Sequence, residues 1–205
     1  MRQTRIAGAV GALFVGAALA AQFYLQQQGM HGAGVLAAAW RFFGYFTILT
    51  STLIALVWLR VALRPEIRQP LLEAAGAVSI VMVGVIYHLL LASRWNPQGL
   101  QYVVDIVLHT VSPIMFALYW LSRPHGALRW RDAFICVVWP LGYCAYALVR
   151  GAFDGWYAYY FLDPTQTPPL QLALSIAVQS AGFLVCALVF VGADKALAMR
   201  AARTA

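Results

Sequence analysis

Long apolar runs, each broken by only a few polar positions, alternate along the chain with short stretches that gather arginine, proline and glycine. The runs cover 6–26, 40–59, 71–93, 102–122, 133–153 and 170–197. Each comes close to the roughly 20 residues a helix needs to cross the hydrocarbon core of a bilayer. The pattern predicts an all-α polytopic membrane protein, one domain over 1–205 built of six transmembrane helices. No soluble domain, internal repeat or linker stands out.

The first run follows Arg2 and Arg5, and its small-residue passage from Gly16 resembles the end of a signal peptide. The run is nevertheless long enough to span unaided, so it reads as a retained helix. The second run opens at Trp40 and Arg41 and carries Tyr45, Thr47, Thr50 and Ser51 in its early turns. His88 lies in the last turns of the third, which Arg94, Trp95, Asn96, Pro97 and Gly99 break. The fourth contains Asp105, His109, Ser112 and Pro113; the fifth contains Pro140, Tyr143, Cys144, Tyr146 and Arg150. The longest connection, 154–169, is rich in aromatic residues and proline, which suits the bilayer surface or the cap of a cavity. The sixth run has Gln171, Ser175 and Gln179 in its first half, and a polar tail with Arg200 and Arg203 ends the chain.

Composition agrees with the pattern. Hydrophobic residues make up 62% and charged residues 10% of the chain, against about a quarter charged in a soluble domain. The net charge of +7 does not indicate nucleic acid, because the basic residues form no patch interleaved with aromatics. Topology accounts for the charge instead. With the N-terminus in the cytoplasm, Arg2, Arg5, Arg60, Arg64, Arg68, Arg123, Arg129, Arg131, Lys195, Arg200 and Arg203 fall on the cytoplasmic side, and only Arg41, Arg94 and Arg150 fall outside. The positive-inside rule therefore places both termini in the cytoplasm. A single lysine among so many arginines, in a chain rich in Ala and Gly, suits a bacterium with a GC-rich genome, and hence the cytoplasmic (inner) membrane. Cys136, Cys144 and Cys186 sit inside apolar runs and read as small buried residues rather than a disulfide framework.

Asp105 and His109 change the picture from packing to chemistry. Four residues apart, they share a helix face, and the carboxylate can orient the imidazole. Ionisable groups at membrane depth cost about 2.5–3.5 kcal/mol each on insertion scales and mark functional sites. At about 1.5 Å per residue, Thr47 falls roughly 10 Å and His109 roughly 12 Å below the outer surface. His88, Asp105, Tyr143, Tyr146, Arg150 and Gln171 belong to the same outer half. This convergence implies a polar cavity open to the outside or to the outer leaflet. Three uses of it are open: His109 as a general base for a hydroxyl nucleophile, with Thr47 best placed; a metal held by His88, Asp105 and His109; or a proton relay in a transporter.

Five segments carry a resemblance to a known family: 41–52 (RFFGYFTILTST), 85–89 (VIYHL), 95–101 (WNPQGLQ), 105–113 (DIVLHTVSP) and 150–163 (RGAFDGWYAYYFLD). Together they resemble the bacterial six-span proteins related to the androgen-induced protein (ADTRP) family. Animal members of that family hydrolyse fatty acid esters of hydroxy fatty acids with a membrane-embedded threonine and histidine. The resemblance implies Thr47 as nucleophile and His109 as base, while the orienting role of Asp105 comes from the local spacing. The outer loop departs from the family pattern at Ala158 and Tyr160, where proline is expected.

The resulting expectation is an intramembrane lipid esterase without a cofactor or metal, acting on a lipid or fatty-acid ester. Its catalytic residues would be Thr47, His109 and Asp105. His88, Tyr143, Tyr146, Arg150 and Gln171 are expected at the substrate, Arg150 for a fatty-acid carboxylate and Tyr143, Tyr146 or Gln171 for an oxyanion. The alternatives are a non-catalytic lipid or amphiphile transporter or binding protein, and a metal-dependent lipid amidase or esterase.

Overall fold

In the computed structural model, which describes residues 2–30, 32 and 34–204, the described residues are helical or in connections, with no β-strand. Six helices are long and apolar enough to cross a membrane, and the protein is an integral membrane protein of all-α class. The chain divides into two compact units, one up to Arg123 and one from Pro124.

The first unit contains α1 (Arg2–Gly29), α2 (Val35–Phe42), α3 (Phe46–Leu63), α4 (Pro70–Ile86), α5 (Leu100–Ile106) and α6 (Ser112–Leu121). The expected second span, 40–59, is not continuous. α2 stops at Phe42, a turn follows with Gly44 N–H bonded to the Arg41 carbonyl at 3.1 Å, and Tyr45 is extended before α3 begins. Gly44 weakens the helix here, and the apolar aromatics around it leave no hydropathy break. α3 alone, at 18 residues, spans about 27 Å. α1 packs along α3 through glycine: a Cβ on Gly8 would fall 2.5 Å from the Ala62 nitrogen. Small residues permit such close backbone approach in membrane helix pairs.

α4 starts with Pro70 at its first position and Glu73 in its first turn, where a missing N–H is harmless and negative charge is favoured. It runs into a π-helical turn, Tyr87–Leu91, and a 3₁₀ turn, Ala92–Arg94. α5 and α6 are joined by a second π-helical turn, Val107–Val111, into one span from Leu100 to Leu121. A core of Ala18, Phe42, Ile48, Val104 and Leu108 ties α1, α2 and α3 to that span. It brackets the turn before α3 and fixes the residue next to His109.

The second unit holds α7 (Asp132–Asp154), α8 (Pro169–Thr204) and the connection between them. α7 ends on Gly155 in the left-handed region (φ 71°), whose N–H caps the Gly151 carbonyl at 2.8 Å. The expected polar tail is instead helical through Thr204. At about 54 Å, α8 exceeds the roughly 30 Å hydrocarbon core, so its last turns project beyond it. Near its C-terminal half, buried Asp194 accepts hydrogen bonds from the Gly126 and Leu128 N–H groups at 2.9 and 3.0 Å and holds the segment before α7. The loop after α7 folds back on it: Tyr159 meets the Tyr143 ring edge-on and stacks on Phe161.

Candidate active site

The two π-helical turns lie side by side and bring the polar residues of the first unit together. His109 Nδ1 lies 3.1 Å from the Asp105 carbonyl and 3.3 Å from Asp105 Oδ1. Both partners are acceptors, so the imidazole proton sits on Nδ1 and leaves Nε2 as the lone-pair nitrogen. Nε2 faces Thr47 Oγ1 at 3.2 Å, within reach to accept its proton. Thr47 is 8% exposed and stands in the first turn of α3, not a third of the way down a longer helix as its distance from Trp40 implied. Its hydroxyl, the imidazole and the carboxylate thus form a continuous Thr–His–Asp chain.

Position at a helix start adds a second property. The first N–H groups of a helix lack intrahelical acceptors and favour negative charge. No side chain caps α3, and the first capping bond within it runs from Leu49 N–H to the Tyr45 carbonyl at 3.1 Å. The Thr47 and Ile48 N–H groups precede that bond.

Tyr87 completes the arrangement, and the sequence reading did not single it out. Its hydroxyl donates to Asp105 Oδ2, and its ring stacks on His109 with centroids 3.9 Å apart. A tyrosine one residue before His88, near a span end, resembles interfacial-belt residues. The signal that could have found it is its level, shared with a buried carboxylate on the next span that needs donors.

The other expected residues divide. His88 pairs with Thr110, Nε2 to Oγ1 at 3.0 Å, rather than joining Asp105 and His109. Among the described residues no three His, Cys, Asp or Glu side chains gather as a metal site, so the alternative His88/Asp105/His109 ligand set is not assembled. Tyr143, Tyr146, Arg150 and Gln171 belong to the second unit. There Arg150 is 3% exposed, with Nε 3.5 Å from Asp154 and its guanidinium 5.1 Å from the Trp156 ring centroid. It does not snorkel to the surface as a cation near a span end would. Tyr143 is buried, whereas Tyr146 and Gln171 are exposed.

Two openings of the first unit reach parts of this chain, one at Asp105 and the other at His109, and Thr47 lines neither. One, of about 450 Å³, is lined by Tyr87, His88, Trp95, Asn96, Gln98, Tyr102, Asp105 and Thr110 among others. The second, also about 450 Å³, is an apolar groove between α4 and α6 with His88, His109 and Thr110 at its polar end. Comparison with known proteins finds no matching family model, curated protein or solved structure. The functional reading therefore rests on the residues themselves.

Proposed function

We propose that the protein is an intramembrane hydrolase of long-chain carboxylic esters, with Thr47 as nucleophile and His109 as general base. The observation that carries this reading is the 3.2 Å contact between Thr47 Oγ1 and His109 Nε2, with Nδ1 committed to Asp105. In the first step His109 Nε2 takes the Thr47 hydroxyl proton as Oγ1 bonds to the ester carbonyl carbon. The oxyanion is met by the Thr47 and Ile48 N–H groups at the start of α3. Collapse breaks the bond to the alcohol oxygen, which leaves with the proton from His109. Water, deprotonated by the same nitrogen, then attacks the acyl-threonine, and its ester bond breaks as His109 returns the proton to Thr47 Oγ1 and the fatty acid is released. Asp105 holds the tautomer and stabilises the imidazolium; Tyr87 holds Asp105.

The resemblance to the androgen-induced protein family supports an ester of a fatty acid as substrate. The charge distribution supports cytoplasmic termini and the inner membrane of a bacterium. The test is fatty-acid release from a panel of acyl esters by purified wild type, Thr47→Val and His109→Gln. Turnover lost in both variants, with unchanged folding, is the expected result. Saturable ester binding without turnover would assign the site to binding or transport instead.

A further inference from the structure

We infer that the first unit carries a binding site for a single-chain lipid with an uncharged, hydroxylated head. The head occupies the polar cavity beside 95–99, the chain lies in the groove between α4 and α6, and the junction sits at His88 and Thr110. As a statement of substrate class this rests on the hydrolase reading; as a binding site it stands without it.

The two openings share His88 and Thr110, which are bonded to each other at 3.0 Å. A ligand that fills both must therefore be polar at one end and apolar at the other, and must change character at that pair. On the polar side, Gln98 Nε2 donates to Asn96 Oδ1 at 3.0 Å. This leaves the Gln98 carbonyl oxygen as an acceptor and the Asn96 amide protons as donors, with the Tyr102 hydroxyl nearby in the lining. Hydroxyl groups match such a mixed array, because each both donates and accepts.

Charge argues the same way. Among the described residues that line the cavity there is no Lys or Arg, and its one acidic residue is Asp105. A carboxylate or phosphate head would meet that negative charge with no basic residue in the lining to offset it. An ammonium head would find the Asp105 oxygens already engaged by Tyr87 and His109. An uncharged polyol head incurs neither conflict.

The groove is lined by Val81, Val85, Leu89, Pro113, Ile114 and Ala117. Leu89 is 75% and Ile114 55% exposed, so the groove opens sideways and a chain enters it without leaving hydrocarbon. Lipid tails are as apolar as the groove, so its walls steer the chain while the head cavity discriminates. An ester at the junction lies beside His109, which lines the polar end of the groove.

The test uses the full chain in detergent with a photoreactive monoacylglycerol as probe. Label is expected on peptides within 81–117. Unlabelled monooleoylglycerol is expected to displace the probe at about tenfold lower concentration than oleate, lysophosphatidate, lysophosphatidylcholine or an oleoyl ester of hydroxystearic acid. Val85→Trp is expected to cut labelling about tenfold by filling the groove, with Leu118→Trp on the same exposed surface but outside the groove as the unchanged control. Gln98→Leu, an exposed loop substitution, is expected to abolish the preference for the neutral head.

Equal displacement by all lipids, or labelling indifferent to Val85→Trp, would reduce the site to annular lipid and overturn the proposal. Preference for an anionic or choline head would overturn it as well. Thr47-dependent turnover confined to the hydroxystearate ester would overturn this site while leaving the hydrolase intact. Selective monoacylglycerol labelling without turnover of any ester would uphold the site and remove the hydrolase.

Discussion

The Tyr87 ring lies nearly parallel to the His109 imidazole, 14° between planes and 3.9 Å between centroids, while its hydroxyl donates to the Asp105 carboxylate that faces the same imidazole. One side chain thus fixes two members of the candidate chain. The stack restrains the imidazole plane, and the hydrogen bond restrains the carboxylate.

The two effects separate by substitution. Tyr87→Phe keeps the ring and removes the donor, leaving a buried carboxylate oxygen short of a partner, a loss of about 1–3 kcal/mol. On ester turnover, kcat is expected to fall about tenfold with KM unchanged. Tyr87→Leu removes the stack as well and is expected to cost at least a further tenfold in kcat. Equal activity of wild type and Tyr87→Phe would show that Asp105 needs no help from the phenol.

Gly84 packs against the backbone of the same histidine from α4. A Cβ there would stand 3.0 Å from the His109 carbonyl oxygen and 3.5 Å from the Pro113 ring. Gly84→Ala is expected to push the α4 and α6 backbones apart, at a cost of about 1–3 kcal/mol, the usual range for overpacking. Turnover should fall with it, since a small displacement of His109 lengthens the Thr47 contact. Gly142→Ala on α7 meets no atom within 4 Å and is expected to be neutral or slightly stabilising. Melting in detergent beside a turnover assay reads both.

How much of this was legible beforehand differs residue by residue. Spans were legible because lipid demands some 20 apolar positions, and hydropathy reports that length directly. Asp105 and His109 were legible as a pair because helical spacing fixes their common face, and Thr47 because counting along two spans brought it to the same level. The break before α3 was not, since Phe42, Phe43 and Tyr45 read as continued hydrocarbon-facing helix and only Gly44 hints otherwise. The π-helical turns at Tyr87–Leu91 and Val107–Val111 leave the apolar pattern intact and so give no sequence signal. Arg150 was expected at a fatty-acid carboxylate by its level in the fifth span. Its burial follows from Asp154 one turn on and Trp156 in the loop, a contact that spacing alone does not dictate.

Asp163 organises the end of the loop in the second unit. Its carboxylate accepts from the Thr165 hydroxyl at 2.6 Å, the Thr165 N–H at 2.9 Å and the Gln166 amide at 2.6 Å. These bonds, the Thr165 hydroxyl foremost, hold its carboxyl below the usual carboxylate range. A depressed folded value means that the stabilisation is complete above the unfolded value near 3.8 and is lost as pH falls through the lower folded one. Asp163→Asn is therefore expected to lower the melting temperature at pH 7. Its difference from wild type should persist down to about pH 4 and shrink only in stronger acid. A difference that disappears between pH 5 and 6 would point to another group.

Glu73 offers the clearest separation of stability from chemistry. It is 1% exposed, with Oε1 2.8 Å from Arg60 Nη2 and Oε2 3.4 Å from Arg123 Nε, so one buried carboxylate ties α3, α4 and the end of α6. Glu73→Gln leaves two largely buried guanidinium groups without their counter-charge. Breaking a buried pair on one side costs roughly 3–5 kcal/mol, and partial exposure of both arginines places this case near the lower end. Removing a cation together with the carboxylate relieves the imbalance, so Glu73→Gln combined with Arg123→Met is expected to be less destabilised than the sum of the two single variants. None of these residues lines either opening, so kcat per folded molecule should stay at the wild-type value in all three variants while their melting temperatures fall. A matching drop in kcat would instead couple this charge cluster to the Thr47–His109 geometry through α3 and α4.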